Sequence, residues 1–305
     1  MINYKKIIKS QDVRRTILAC MKWVPDKFMI KLQYRIKFGR RLNLNNPQRF
    51  SEKLQWYKLY YRNPKMKQCV DKYDVREYVK EKGLEKILIP LIGVYESEKD
   101  VNLERLPEQC VIKDTLGGGG RKVIVFDKHS NIKFEDIKKQ MEEWIDSSIS
   151  YKIGGREWPY GGKKHRIIIE EKLPSNIEDG GLIDYKFFCF HGQPKVLYVI
   201  ADRKIGEKAG LGIFTAEYDR LDVVRCDENP LKRDIPRPKA YDEMIEICKR
   251  LSEPFPEVRI DLYYVEEKIY FGEMTFFDGS GYMSFAPDSF DYVMGEMFQL
   301  PEKYK

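Results

Sequence analysis

One stretch near the C-terminus constrains the fold of this chain more than any other. In residues 258–276, two runs of alternating polar and apolar side chains flank a charged turn. Side chains that alternate along the chain point to opposite faces of a strand. A three-residue turn at 266–268 pairs Val265 with Ile269. The sequence therefore predicts an antiparallel hairpin with one apolar face towards a core and one polar face.

The polar face of the predicted hairpin brings two carboxylates together. In this register Asp261 lies opposite Glu273, and Arg259 lies opposite Thr275. Carboxylates placed about 5 Å apart at Cβ repel each other unless a cation lies between them. Mg²⁺ is a natural candidate, because it binds one or two carboxylates together with phosphate oxygens. The alternative is a solvated face on which Arg259 pairs with one of the acids.

A second pattern combines a strand, a lysine and a run of glycines. An apolar run at 110–112 ends at Lys113, and a glycine-rich turn follows it, formed by Gly117, Gly118, Gly119 and Gly120. The backbone N–H groups of such a turn can surround phosphate oxygens while the lysine neutralises their charge. The turn lacks the Gly-Lys-Ser/Thr ending of a P-loop. The alternative is a hairpin turn beside a solvated lysine.

A third pattern is an apolar strand that ends in two acids. Three isoleucines precede Glu170 and Glu171, and after a polar loop Asp184 opens the next strand pattern. Carboxylates at these positions can accept hydrogen bonds from an adenine amino group and from ribose hydroxyls. The alternative is a strand end whose charges lie in water.

Composition excludes several classes of protein. The chain has 305 residues, 42% hydrophobic and 34% charged, and contains no apolar run long enough to cross a bilayer. No secretory pattern follows the basic N-terminus. Six scattered cysteines and three isolated histidines form neither a disulfide pattern nor a transition-metal motif, which favours reduced thiols in a cytoplasm.

The net charge of +7 is concentrated at the N-terminus. Residues 1–41 contain twelve basic and two acidic residues, whereas the rest of the chain contains 43 basic and 46 acidic residues. This near-neutral body argues against nucleic-acid binding. The pattern over 11–41 predicts two short basic amphipathic helices broken near Pro25. They form either an ordinary helical layer or a surface for anionic lipid or an anionic carrier-linked substrate.

Strand and helix patterns alternate along the rest of the chain, with several strands joined by short turns, which indicates α+β architecture with antiparallel sheets. Helices are predicted at 51–61, 65–82, 134–147 and 241–252, a strand or linker at 87–94, and strands at 110–114, 122–126, 166–171, 185–190, 195–201 and 212–218.

Several blocks, taken in order over residues 34–300, resemble the ATP-grasp superfamily. More closely, they resemble the ATP-grasp family typified by the teichuronopeptide biosynthesis protein of bacterial surface-polymer pathways. The blocks are Phe38-Gly39 with Leu42-Asn43, 50–56, 70–78, 155–160, 184–190, Asp202-Arg203 and 271–275. The resemblance implies two α+β subdomains that grip ATP between antiparallel sheets, preceded by a helical N-terminal region. The implied division is 1–45 for basic helices, 46–108 for an N-terminal region, 109–172 for a lid and 173–305 for the metal-binding subdomain.

The resemblance also implies roles for individual residues. Lys113 and the four glycines would contact ATP phosphates, Glu170, Glu171 and Leu173 the adenine, and Asp184 the ribose. Asp261 and Glu273 would hold Mg²⁺, and Arg259 and Lys186 would be catalytic. Arg156, Arg203, Ser280 and Gly281 would bind substrate. Thr275 departs from the superfamily, which usually has asparagine as a third metal ligand, and a hydroxyl is a weaker oxygen donor for a second magnesium ion.

The implied activity is that of an ATP-dependent carboxylate–amine ligase that forms an acyl phosphate and releases ADP and phosphate. The expected product is an amide between an amine or amino acid and a sugar acid, which could be nucleotide- or lipid-linked, in capsule, O-antigen or other surface polysaccharide synthesis. Residues 1–41 could touch the inner face of the membrane. The alternative is a glycosyltransferase, although the sequence has no Asp-x-Asp motif. A further alternative is a non-catalytic scaffold at a membrane surface.

Overall fold

The computed structural model describes residues 11–118, 122–146, 151–174, 181–202 and 209–303. Its first two helices are α1 (Gln11–Cys20) and α2 (Asp26–Phe38), and they separate at Pro25 as predicted. Ile30, Tyr34 and Phe38 of α2, spaced four residues apart, are buried in one cluster. Because this spacing forms a single stripe on a helix, α2 packs as one layer of the fold.

The predicted helix at 65–82 is in fact two short helices. After α3 (Phe50–Tyr60) come α4 (Lys65–Cys69) and α5 (Val75–Glu81). Between them the Asp71 carboxylate accepts hydrogen bonds from the backbone N–H groups of Tyr73 (2.9 Å) and Asp74 (3.0 Å). An aspartate that binds the backbone in this way favours a turn over a continuous helix.

A four-stranded antiparallel sheet forms the smaller unit, in the order β1-β4-β2-β3. The strands are β1 (Leu91–Tyr95), β2 (Gln109–Asp114), β3 (Val123–Asp127) and β4 (Ile167–Glu171), and α6 (Phe134–Ile145) covers one face. Since β1 belongs to this sheet, the predicted boundary between residues 108 and 109 cuts through a single structural unit.

A six-stranded sheet forms the larger unit, in the order β11-β10-β5-β6-β7-β9. It is antiparallel except for the β7–β9 pair. Its strands are β5 (Asp184–Phe190), β6 (Gln193–Ala201), β7 (Gly210–Thr215), β9 (Asn229–Pro230), β10 (Glu257–Val265) and β11 (Lys268–Thr275). The remaining elements are α7 (Tyr241–Ser252), α8 (Phe290–Met297) and the small pair formed by β8 (Val224–Arg225) and β12 (Phe285–Ala286). Two antiparallel sheets with a helical N-terminal layer confirm the predicted α+β architecture.

The hairpin turn differs from the prediction. Glu266 and Glu267 have φ values of 49° and 61°, so the turn has two residues and pairs Val265 with Lys268 rather than with Ile269. Positive φ at both central positions is typical of a type I′ turn, whose twist matches that of the strands. The predicted three-residue turn is therefore wrong.

The predicted pairing of Asp261 with Glu273 is nevertheless correct. The register shifts by one residue between Asp261 and Leu262, which leaves Gly272 as a bulge. A bulge inserts one extra residue into one strand and restores the register that the shorter turn had displaced.

In the described part of the chain, no helix is both long enough and apolar enough to cross a bilayer.

Candidate active site

The polar face of the hairpin is organised around the Arg259 guanidinium. Its Nε and Nη2 donate to the two carboxylate oxygens of Asp261, both at 2.7 Å. Nη2 also donates to Glu273 Oε1 and to Thr275 Oγ1, each at 3.1 Å. The four side chains predicted to share one face therefore form one hydrogen-bonded group.

A second cation and a third acid complete this group. Lys186 of β5 lies opposite Asp261 in register, and its ammonium pairs with Asp261 Oδ2. Arg259 Nη1 pairs with Asp278, which follows β11. Burial raises the pKa of Asp261, but Arg259 and Lys186 outweigh burial and hold that pKa below its usual range. The pairing of Arg259 with acids is thus observed, yet on a buried face rather than a solvated one, since Asp261 is only 1% exposed.

The hairpin face offers oxygen donors that suit Mg²⁺. Asp261 and Glu273 supply two carboxylates and Thr275 a hydroxyl, and the Glu273 side chain is 37% exposed towards solvent. Among the described residues, no group of three histidine, cysteine or acidic side chains could ligate a metal. Because Mg²⁺ usually keeps phosphate oxygens or waters alongside one or two carboxylates, this donor set fits magnesium better than a metal held by protein alone.

Lys113 lies on the smaller sheet and is paired with Glu170 of the neighbouring strand. Its ammonium donates to Glu170 Oε2 at 2.7 Å, and Arg76 donates to Oε1 at 2.9 Å. Both carboxylate oxygens of Glu170 therefore have cationic partners, whereas the prediction assigned Glu170 to adenine. The neighbouring Glu171 is exposed, and Leu173 is buried just beyond the strand.

Lys72 is a cation that the sequence patterns did not assign. Its backbone N–H donates to Thr115 O at 2.9 Å, and its ammonium binds Gly117 O at the start of the glycine-rich turn. Burial lowers the pKa of Lys72, while Glu273 raises it and Lys113 lowers it further. Lys72 therefore lies within electrostatic range of both sheets. Its block, residues 70–78, contributed to the resemblance without a role for this lysine.

Of the remaining residues predicted to bind ATP, some belong to the part of the chain that the structure describes and others do not. Gly118 lies in the described turn, whereas Gly119 and Gly120 fall outside the described residues. Asp184 is buried at the start of β5, two residues before Lys186, so both side chains lie on the same face of the strand. Lys113, predicted to contact phosphate, thus lies on the smaller sheet, and the residues predicted to contact ribose and metal lie on the neighbouring strands β5, β10 and β11 of the larger sheet.

Ser280 occupies a tightly held turn after β11. Its φ of 57° lies in the left-handed region, and its carbonyl accepts hydrogen bonds from Gln55 (3.0 Å) and Lys58 (2.8 Å) of α3. Gln55 also donates to Gly281 O at 2.9 Å. The Ser280 hydroxyl donates to Glu157 Oε1 at 2.5 Å. The segment that carries Arg156 and Glu157 therefore meets the turn that carries Ser280 and Gly281, two residues predicted to bind substrate.

Arg156 has a different place from the one predicted. Its side chain is fully buried, and its guanidinium donates to Met21 O (2.9 Å), Val24 O (2.8 Å) and Asp26 Oδ1 (2.7 Å). These partners belong to the α1–α2 connection or to the start of α2, so Arg156 anchors the N-terminal helices. Arg203, the other arginine predicted to bind substrate, lies outside the described residues.

Comparison with known proteins gives a family match over most of the chain. The family described as TupA-like ATPgrasp matches residues 52–299. Similar solved structures include D-alanine–D-alanine ligase from Helicobacter pylori, at 16% identity and TM-score 0.42 over 78% of this chain and 60% of that one. Another is N5-carboxyaminoimidazole synthetase from Staphylococcus aureus complexed with ADP, at 12% identity and TM-score 0.40 over 68% and 44%.

The chain spans only about half the length of these solved proteins, and similarity at this level adds nothing to the family match. No significant match is found among curated proteins. The family match covers well over half of the chain and includes the hairpin, the glycine-rich turn and Lys72. The chain therefore belongs to the TupA-like ATP-grasp family.

Proposed function

We propose that this protein is an ATP-dependent carboxylate–amine ligase. The observation that carries the proposal is the hydrogen-bonded group of Arg259, Asp261 and Glu273 on one sheet, with Lys113 on the other sheet and Lys72 within electrostatic range of both. A site for a metal–triphosphate complex requires carboxylates that bind the metal and cations that neutralise the phosphates, and this group of residues supplies both. Membership of an ATP-grasp family supports the same conclusion.

In the proposed reaction a substrate carboxylate attacks the γ-phosphate of ATP and forms an acyl phosphate. Lys113 and Lys72 hold phosphate oxygens, and Lys186 stands beside them on Asp261. Mg²⁺ bound by Asp261 and Glu273 would neutralise charge on the phosphates. An amine then attacks the acyl carbon, and the guanidinium of Arg259, which the acids hold in place, stabilises the developing oxyanion.

The finer assignment of substrates rests on the family resemblance. We propose an amide between an amine or amino acid and a sugar acid, nucleotide- or lipid-linked, in capsule, O-antigen or other surface polysaccharide synthesis. Asp184 would bind the ribose, Glu171 and Leu173 would lie at the adenine, and Ser280 and Gly281 at the substrate. Pairing of Glu170 with Lys113 suggests that Glu170 orients this lysine and contacts adenine only through its backbone.

The N-terminal helices support a peripheral contact with the inner face of the membrane, with the enzyme working in the cytoplasm. Trp23 is 79% exposed and Phe28 is 62% exposed, next to the exposed Lys22 and Lys27. Aromatic rings beside lysines suit the interface of an anionic bilayer. The double variant W23S/F28S should bind anionic liposomes less in a flotation assay, while ATP turnover stays unchanged. Equal flotation would refute the contact.

The ligase proposal is tested by ADP release with a panel of carboxylates, using hydroxylamine to trap acyl phosphates as hydroxamates. We expect hydroxamate with at least one sugar acid and none for E273Q. Thermal shifts with Mg·ATP, UDP-sugars and GDP-sugars provide the comparison with a glycosyltransferase. Stabilisation by nucleotide sugars alone, without hydroxamate, would overturn the ligase proposal in favour of that alternative.

A further inference from the structure

The acids of the candidate active site differ in whether a cation makes a direct hydrogen bond to them. Asp261, Glu273 and Asp278 each accept a hydrogen bond from Arg259. Glu157 accepts its hydrogen bond from a neutral group, the Ser280 hydroxyl, at 2.5 Å. In the part of the chain that the structure describes, no lysine or arginine nitrogen lies within 4.0 Å of the Glu157 carboxylate.

Glu157 is close to the metal-binding face without belonging to it. Burial raises the pKa of the Tyr160 hydroxyl, and Glu157 and Glu273 raise it further, so both carboxylates act on the same ring. Asp278, which binds Arg259, also acts on the Glu157 carboxyl. Glu157 therefore lies at the end of the site where chain 278–281 passes.

The surroundings of Glu157 are held firmly. Lys58 is 1% exposed and donates to Gln55 Oε1 at 2.9 Å and to Ser280 O at 2.8 Å. Since Gln55 binds the same turn, α3 fixes the position of Ser280, and Ser280 in turn fixes one oxygen of Glu157. Glu157 itself is half-buried, so part of the residue stays in contact with solvent.

Electrostatics around Glu157 favour a cationic ligand. Burial raises the pKa of the Glu157 carboxyl by more than the charge of Lys58 and the Ser280 hydrogen bond lower it, which makes the carboxylate a stronger base than an exposed glutamate. Burial also lowers the pKa of Lys58 to about 8, so this lysine carries less than a full charge at alkaline pH. A carboxylate in such a site gains most from a ligand that brings its own positive charge.

We propose that Glu157 is the amine-binding residue of this enzyme: its carboxylate binds the ammonium group of the second substrate and then accepts one of its protons. The inference rests on the proposed ligase function and specifies a primary ammonium compound as the amine donor. It also assigns to the turn at Ser280 the role of positioning Glu157.

The proposed step balances. The ammonium transfers one proton to Glu157 and becomes an amine with a free electron pair. The amine nitrogen forms a bond to the acyl carbon, and the bond from that carbon to the phosphate oxygen breaks with its electron pair. The second proton lost from nitrogen leaves with the inorganic phosphate, and Glu157 releases its proton to water.

The test compares two amines in the full-length protein and its variants. Hydroxylamine is uncharged near neutral pH and traps the acyl phosphate without an ammonium group. The ammonium probes are ammonium chloride, glycine, glutamate, lysine and ethanolamine, each supplied with the carboxylate that gives most hydroxamate. The variant is Glu157→Gln, which keeps an oxygen for the Ser280 hydroxyl, and the matched control is Glu243→Gln on the exposed face of α7.

We expect Glu157→Gln to lower kcat/KM for the best ammonium probe by about a hundredfold or more, the usual range for loss of a general base. Hydroxamate formation should change by less than about threefold, and the control should match the wild type in both assays. An equal loss with both amines, or no loss with either, would overturn the assignment. So would a wild type that makes hydroxamate and uses none of the ammonium probes. A wild type that makes no hydroxamate with any carboxylate would refute the ligase function itself.

Discussion

The two acids proposed to hold Mg²⁺ should respond very differently to neutralisation. Asp261 is 1% exposed and accepts charge-assisted hydrogen bonds from Arg259 and Lys186. Breaking a buried ion pair typically costs 3–5 kcal/mol, and asparagine keeps one acceptor, so we expect D261N to lose about 2–4 kcal/mol of stability. Glu273 is 37% exposed and has one hydrogen bond to Arg259, so E273Q should lose about 0–1 kcal/mol.

These free energies translate into separable melting temperatures. At about 2–4 °C per kcal/mol, D261N should melt about 4–16 °C below the wild type and E273Q within about 4 °C of it. Both variants remove a proposed metal ligand. Both should therefore lose ATP-dependent ADP release by about a hundredfold or more, a typical loss when charge stabilisation is removed.

Calorimetry and a thermal-shift titration with Mg·ATP measure both effects on the same samples. The wild type should be stabilised by Mg·ATP, and the stabilisation should disappear with EDTA and in E273Q. Retention of turnover and of the Mg·ATP shift in E273Q would refute the metal assignment. Equal melting temperatures for the two variants would show that the buried pairing of Asp261 contributes little to stability.

Three further changes test other parts of the structure. Glu257 is fully buried with no hydrogen-bond partner for either carboxyl oxygen among the described residues, and burial raises its pKa well above the usual value. The folded state therefore binds its proton more tightly than the unfolded state, and stability falls as pH rises above about 4.5, by at most about 1.4 kcal/mol per pH unit. E257Q should accordingly gain melting temperature relative to the wild type at pH 8 but not at pH 4; an equal difference at both would contradict a protonated Glu257. At Gly272 an added Cβ would lie 3.0 Å from the backbone oxygen of Asp261. G272A should therefore displace Asp261 and slow turnover on the order of tenfold in steady-state assays. Unchanged kinetics would count against the need for this bulge. R156M should destabilise the protein by about 3–5 kcal/mol in urea unfolding, because it removes the guanidinium that donates to Asp26 and to two backbone carbonyls. A loss of activity at unchanged stability would instead support a substrate role for Arg156.

The hairpin shows how far local pattern reaches. Alternation of polar and apolar residues was enough to place Asp261 opposite Glu273, because side-chain period and strand register are local properties. The same pattern missed the two-residue turn and the bulge at Gly272, whose effects on register cancel. Neither feature changes the alternation of polar and apolar residues, so the alternation alone could not reveal the two-residue turn or the bulge.

What the sequence alone determined about this protein is most of its longer strands and helices, the facing acids and the family to which the chain belongs. Only the tertiary structure decided which charges meet. Lys72 reaches the glycine-rich turn, Arg156 anchors helices more than a hundred residues away in the chain, and Ser280 joins α3 to Glu157. Such contacts depend on the packing of distant segments, and a single sequence carries no local signal for them. The same packing leaves Glu157 without a lysine or arginine nitrogen within 4.0 Å among the described residues, which is the basis for assigning it to the amine.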